Sequence, residues 1–223
     1  MIMSSATSTV QEPSRPPTTS TQTAAEIKPG RTSVFWREFF KAPKQLGTCF
    51  TSSKPLARRM VKGLPLGESK LVFELGPGTG PITAQILPLL GAQTRFVGIE
   101  QNSGLVRELK RRFPQHTFLE DDALDLQGVC RRQAIEAGTV DCVITSVPYL
   151  LFTPTMQERG LDEVLAVLRP GGTFTMLTYC IEEVMAKARR WRGFLEKRFQ
   201  NVQRSQWVIQ NTPPAFVYRG VKG

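Results

Sequence analysis

The 223-residue sequence contains a single histidine, His116, and four scattered cysteines, Cys49, Cys130, Cys142 and Cys180, with no CxxC pair. That poverty argues against a histidine metal site, a Ser-His-Asp triad, a cysteine zinc site and a disulfide framework, so no metal is expected. A reduced, cytoplasmic compartment fits best. No run of about 18 apolar residues occurs, which rules out a transmembrane helix. The first residues lack any apolar stretch, so no secretory signal is expected. Acidic residues are also scarce, 19 against 29 basic, for a formal charge of +10. Such an excess predicts an anionic partner: nucleic acid, an anionic membrane surface or an acidic ligand.

What is present divides the chain into three parts. Residues 1–31 are rich in Ser, Thr, Pro and Gln and poor in large apolar residues, the composition of a disordered tail. Arg15 and Lys28 balance Glu12 and Glu26 there, leaving the positive charge to the rest of the chain. Residues 32–69 form a helical segment. Within it, SVFWREFFK (33–41) sets Phe35 with Phe39, and Trp36 with Phe40, at i, i+4 spacing, the mark of a short amphipathic helix that either caps the core or lies in a membrane interface. A second helix is expected over Pro55–Lys62.

Residues 70–223 alternate between strand and helix patterns. Strands are expected at Leu71–Leu75, Arg95–Glu100, His116–Glu120, Val140–Thr145 and Thr173–Tyr179. Helices are expected at Pro81–Leu90, Ser103–Phe113, Gln157–Leu168 and Glu182–Phe199. Short turns between them imply βαβ units and a parallel sheet covered on both faces. Gln203–Ile209 and Ala215–Arg219 read as a closing antiparallel hairpin. The expected fold is α/β: a seven-stranded, mostly parallel sheet with helices on both faces.

The turn after the first strand reads Glu74-Leu75-Gly76-Pro77-Gly78-Thr79-Gly80. A glycine turn between strand and helix lets backbone approach a ligand and exposes free N–H groups. The spacing is G-x-G-x-G, distinct from the G-x-G-x-x-G dinucleotide fingerprint. Glu74 disfavours a pyrophosphate and favours a cation. Glu100 ends the second strand, where a carboxylate can accept two ribose hydroxyls. Glu120-Asp121-Asp122-Ala123 follows the third strand.

These motifs resemble the Rossmann-like class I S-adenosylmethionine-dependent methyltransferases. The resemblance implies S-adenosyl-L-methionine as cofactor, held by Glu74, Gly76, Gly78, Gly80, Glu100, Asp122, Ala123 and Ser146. Asp122, with Asp121 as the alternate, would face the adenine amino group. The loop Thr145-Ser146-Val147-Pro148-Tyr149-Leu150-Leu151-Phe152 is similar to the N-[LIP]-P-[YF] motif of amino-group methyltransferases, including the dimethyladenosine rRNA enzymes. Here Ser146 stands where those enzymes have Asn, and an apolar wall follows. A hydroxyl lacks the paired amide geometry that reads a base edge, which argues against a nucleic-acid partner.

The wider resemblance, over residues 35–219, is to the soluble bacterial phospholipid N-methyltransferases. It rests on FWREFFKAPKQLG, the Thr48–Ser53 segment, FELGPGTGPITAQIL, VGIEQNSGLVRELKRRFP and the S-V-P-Y loop. It implies methylation of phosphatidylethanolamine towards phosphatidylcholine, at the inner face of the cell membrane, with Tyr149 and Ser146 as catalytic candidates. Phe35–Lys44 and Lys187–Arg198 would meet the anionic surface, Trp191 and Phe194 acting as apolar anchors. An ornithine-lipid N-methyltransferase, an rRNA adenine N-methyltransferase and a catalytically silent binding module are the alternative readings. His116 reads as structural.

Overall fold

The computed structural model describes residues 52–180 and 186–223. The tail over 1–31 and the aromatic helix expected over 33–41 lie outside the described residues.

The chain enters through helix α1 (Lys54–Val61), capped by the Ser53 hydroxyl, which accepts the Leu56 N–H, with proline in its first turn. Then follow β1 (Leu71–Leu75), α2 (Thr83–Ile86) continued by a 3-10 turn at Leu87–Leu89, β2 (Arg95–Glu100), α3 (Ser103–Arg112), β3 (Thr117–Glu120), α4 (Leu126–Arg132), β4 (Val140–Thr145), a 3-10 turn at Tyr149–Leu151, α5 (Pro154–Val167), β5 (Leu168–Tyr179), α6 (Ala186–Arg198), β6 (Gln200–Arg204) and β7 (Ala215–Val221).

The seven strands run in the order β3-β2-β1-β4-β5-β7-β6. The first five strands pair in parallel, and β7 inserts antiparallel between β5 and β6. Side-chain alternation divides the core. Leu71, Phe73 and Leu75 of β1 face α4, α5 and α6, packing with Leu126, Leu161 and Trp191 in one cluster. Val72 faces α1, α2 and α3, packing with Met60, Ile86 and Leu109 in the other. β1 is buried along its whole length, as a central parallel strand must be.

At the amino edge of the sheet, the Asp141 carboxylate accepts the Lys70 and Leu71 N–H groups and pairs with Arg169. Lys222 donates to the Leu165 and Leu168 carbonyls at the end of α5. At the carboxyl edge the order reverses between β1 and β4, where a crevice opens in sheets of this topology.

The expected bounds hold for β1, β2 and β4. β5 starts earlier, at Leu168, and runs through Pro170-Gly171-Gly172 with a register shift opposite Val140 and Cys142. β6 lies upstream of the expected Gln203–Ile209, and α4 was not expected at all.

Candidate active site

Four successive strand ends build the site. After β1, Gly76, Gly78 and Gly80 all take positive φ, at 68°, 59° and 82°. Only glycine adopts that region freely, so the G-x-G-x-G spacing is a backbone requirement. A Cβ at Gly78 would meet nothing within 4 Å, so this stretch of backbone is open to a ligand. A Cβ at Gly76 would come within 3.3 Å of Val147 in the β4 loop.

Glu74 is directly beneath this turn and 1% exposed. Its Oε2 accepts the Thr83 hydroxyl of α2 at 2.6 Å, while its Oε1 is buried without a hydrogen-bond partner. Burial, opposed by the Thr83 hydrogen bond, pushes its pKa from 4.5 to about 8.

Glu100 at the end of β2 accepts the Gly78 N–H at 3.1 Å through Oε2 and the Asn102 N–H at 2.9 Å through Oε1. Desolvation raises its pKa as well. After β3, Asp122 accepts the Leu124 N–H at 2.8 Å, and burial raises its pKa. Asp121 is engaged differently, paired with Arg132 of α4 at 2.7 Å. After β4, the Ser146 hydroxyl donates to the Gly76 carbonyl, tying the fourth strand's loop to the glycine turn.

A cleft with about 250 Å³ of atom-free space lies between these loops, lined by Gly76, Ile99, Glu100, Gln101, Asp121, Ala123 and Val147. The structure therefore brings together Glu74, Gly76, Gly78, Glu100, Ala123 and Ser146 as the sequence led us to expect. Asp121, the alternate, lines the cleft and Asp122 stands beside it. Gly80 serves the turn from within, where a Cβ would crowd Leu109 and Phe113 at 3.0 Å. Ile99, Gln101 and Val147 were not singled out from the sequence. Each adjoins a residue that was, and that adjacency was the available signal.

Tyr149 departs from the expectation. It is fully buried, stacked on Trp191 of α6 with ring centroids 5.3 Å apart, and packed against Gly160 of α5. Its hydroxyl lies beside Thr145 without a well-aligned hydrogen bond, and burial drives its pKa upward. A side chain so enclosed shapes the loop from below. Trp191 is fully buried too, so it is no membrane anchor, while Phe194 is half-buried between Arg190 and Arg198. Gln157, 3% exposed on α5, donates its side-chain amide to the Tyr149 and Phe152 carbonyls at 3.0 and 3.3 Å. It clamps the loop, a role that no motif or spacing in the sequence signals. His116 packs edge-on to Phe96, consistent with a structural role. Among the described residues no cluster could hold a metal ion, and no helix is long and apolar enough to cross a membrane.

An acid under a glycine turn, a second acid ending β2 and a third after β3 define a nucleoside-binding crevice with a place for a cation. Comparison with known proteins identifies its class. The sequence matches the methyltransferase domain family over residues 72–172. It is 31% identical to an ornithine lipid N-methyltransferase of Singulisphaera acidiphila, over 85% of this chain and 96% of that relative. It is 28% identical to a ribosomal RNA small subunit methyltransferase A of Chlorobium luteolum, but that match covers 51% of this chain and 39% of the relative. In fold it is similar to the 1,6-didemethyltoxoflavin-N1-methyltransferase of Burkholderia thailandensis, solved with bound S-adenosylhomocysteine, with a TM-score of 0.63 and 16% identity over 90% of this chain and 92% of that one.

The chain belongs to the class I S-adenosylmethionine-dependent methyltransferases, and it is an enzyme with that cofactor. The residues present fit the cofactor. The unpartnered Glu74 Oε1 suits a cationic methionine arm, and the open backbone at Gly78 permits close approach. When bound, S-adenosylmethionine supplies an electrophilic methyl group. Glu100 would hold the ribose hydroxyls and Ala123 and Ile99, which line the cleft, would give apolar contact, while Ser146 ties the β4 loop to the turn.

Proposed function

We propose that the protein transfers methyl groups to the amine of a membrane-lipid headgroup. The observation that carries this reading is the near end-to-end match to a lipid N-methyltransferase, against the partial match to rRNA enzymes. The family resemblance points to phosphatidylethanolamine, converted towards phosphatidylcholine; the named relative points to an ornithine lipid. Both present a primary amine beside acyl chains, and the same site would serve both.

The local chemistry supports an amine acceptor. The loop after β4 offers a hydroxyl, Ser146, and the half-exposed apolar Leu151, in place of a paired amide that would read a base edge. The acceptor amine must lose a proton before it attacks. Entry into an apolar site lowers its pKa, so desolvation assists that loss. Orientation then falls to Ser146 and the loop that Gln157 clamps. The enzyme acts at the inner membrane surface as a peripheral protein, its positive charge drawing it to anionic lipid.

A labelled-methyl assay tests this reading. Purified protein is given vesicles containing phosphatidylethanolamine or ornithine lipid with anionic phospholipid, beside unmodified ribosomal RNA. Label in the lipid extract is expected, and the two vesicle types separate the headgroups. Label confined to the RNA overturns the proposal.

A further inference from the structure

Among the described residues the large exposed hydrophobic side chains are Leu89, Leu151, Trp207 and Ile209. Leu89 ends the 3-10 turn after α2. The other three share one edge of the sheet. Leu151 follows the carboxyl end of β4. Trp207 and Ile209 lie in the β6–β7 connection, which the Tyr179–Ala215 pairing places at the carboxyl end of β5. β4 and β7 are two strands apart in the sheet, roughly 10 Å between strand axes. The three apolar tips thus lie at the carboxyl edge of the sheet, the edge on which the crevice opens.

The connection is a built feature. Val208 is buried between exposed Trp207 and Ile209 and exchanges backbone hydrogen bonds with Ala215. Asn211 is 1% exposed; its side chain donates to the Pro213 carbonyl at 2.7 Å and accepts the Ser53 N–H at 2.8 Å, locking the connection to the start of α1. Ser205 holds the other side, its hydroxyl accepting the Val217 N–H. In a strand-like alternation facing water, the outward positions are ordinarily polar. Here they carry Trp and Ile, with Ile209 71% exposed.

Two described segments beside the connection are basic and lack acids. The Arg204 guanidinium sits 5.9 Å from the Trp207 ring and 4.5 Å from that of Phe216. Residues 52–65 carry Lys54, Arg58, Arg59 and Lys62 and no acid, and residues 197–223 contain no Asp or Glu. Apolar tips beside these cationic segments match an anionic bilayer, in which Trp and Ile reach the acyl boundary while cations meet headgroups. Aliphatic Ile209 and Leu151 favour lipid over nucleic acid, which would be held by stacking.

We propose that the β6–β7 connection is a membrane-docking wedge: Trp207 and Ile209 enter the interface of an anionic bilayer and set the crevice against it. This rests on, and deepens, the lipid-amine reading.

The test uses the full chain and vesicles of phosphatidylcholine and phosphatidylglycerol without aminolipid, so that binding is read apart from turnover. The double variant Trp207→Ser, Ile209→Ser should lose vesicle partitioning by about tenfold or more, with S-adenosylmethionine affinity unchanged. Arg204→Gln should weaken binding at low salt and less at high salt. On detergent-dispersed aminolipid the double variant should keep its kcat, while its apparent KM on vesicles rises. Vesicle binding equal to wild type in the double variant overturns the wedge, whatever the activity. Loss of ribosomal RNA affinity with vesicle binding intact overturns it in favour of a stacking surface. A protein that methylates no lipid amine, yet loses vesicle binding in the double variant, removes the substrate reading and leaves the wedge standing.

Discussion

The Tyr149 ring stacks on the Trp191 indole, with an interplanar angle of 22°, so the loop that follows β4 rests on the sixth helix through two aromatic faces. Aromatic pairs of this kind add about 0.5–1.5 kcal/mol beyond the area they bury. Tyr149 therefore acts as a support. Tyr149→Phe should leave turnover within about twofold of wild type, since the hydroxyl makes no well-aligned hydrogen bond. Tyr149→Ala should cost roughly 3–5 kcal/mol of stability. Thermal melts alongside steady-state kinetics check both; a large fall in kcat for the Phe variant would return the hydroxyl to the chemistry.

Gln157 holds the same loop from α5. Gln157→Met keeps the volume and removes the donor to the Tyr149 and Phe152 carbonyls. Leaving buried carbonyls without a partner costs about 1–3 kcal/mol. Turnover should fall while the Kd for S-adenosylmethionine, measured by calorimetry, stays near wild type. An equal loss of cofactor affinity would count against a role confined to the acceptor side.

Gly78 takes φ of 59° and donates its N–H to Glu100. A β-branched side chain there is strained by about 1–2 kcal/mol and projects into the open space over the turn. Gly78→Val should abolish measurable cofactor binding at concentrations that saturate wild type, in a protein that remains folded by circular dichroism. Normal binding by the variant would sink the assignment of the turn.

Glu74 gives a pH signature. Its carboxyl is held protonated by burial, with a pKa near 8 against 4.5 ordinarily. The folded protein keeps a proton that the unfolded chain releases above its own pKa. The contribution to stability is thus complete at low pH and is lost as pH rises towards about 8. Glu74→Gln should flatten stability between pH 5 and 8, and it should weaken cofactor binding because a cationic arm beside Oε1 would draw the carboxyl into its charged form, which an amide cannot adopt. Denaturant melts of both proteins across that range make the comparison; parallel curves would refute it.

Much of the fold could be read from residue pattern because the central strands are buried on both faces and hence mostly apolar. LVFEL and VDCVIT are bounded by glycine turns or polar residues on each side, and their limits matched. α4 is not legible because seven residues with Gly128 in the first turn carry little periodicity. β6 was shifted downstream because Trp207 and Ile209 alternate with Gln206 and Val208, mimicking a strand whose apolar face meets a core. In the structure that face meets solvent.

The site shows the same division. Glu74, the glycines and Glu100 were legible because backbone conformation and charge at strand ends are local properties. Tyr149 and Gln157 were not, since their roles depend on α5 and α6 packing beneath the loop.

The antiparallel insertion of β7 has a practical consequence for instrumenting the enzyme. Running opposite to β5, it carries the polypeptide from the edge where Ala215 meets Tyr179 down to the edge where Val221 meets Thr173. Seven residues of strand cover roughly 20 Å. A reporter or affinity handle joined after Gly223 therefore hangs from the underside of the sheet, leaving the crevice and its rim clear for immobilisation experiments on supported bilayers.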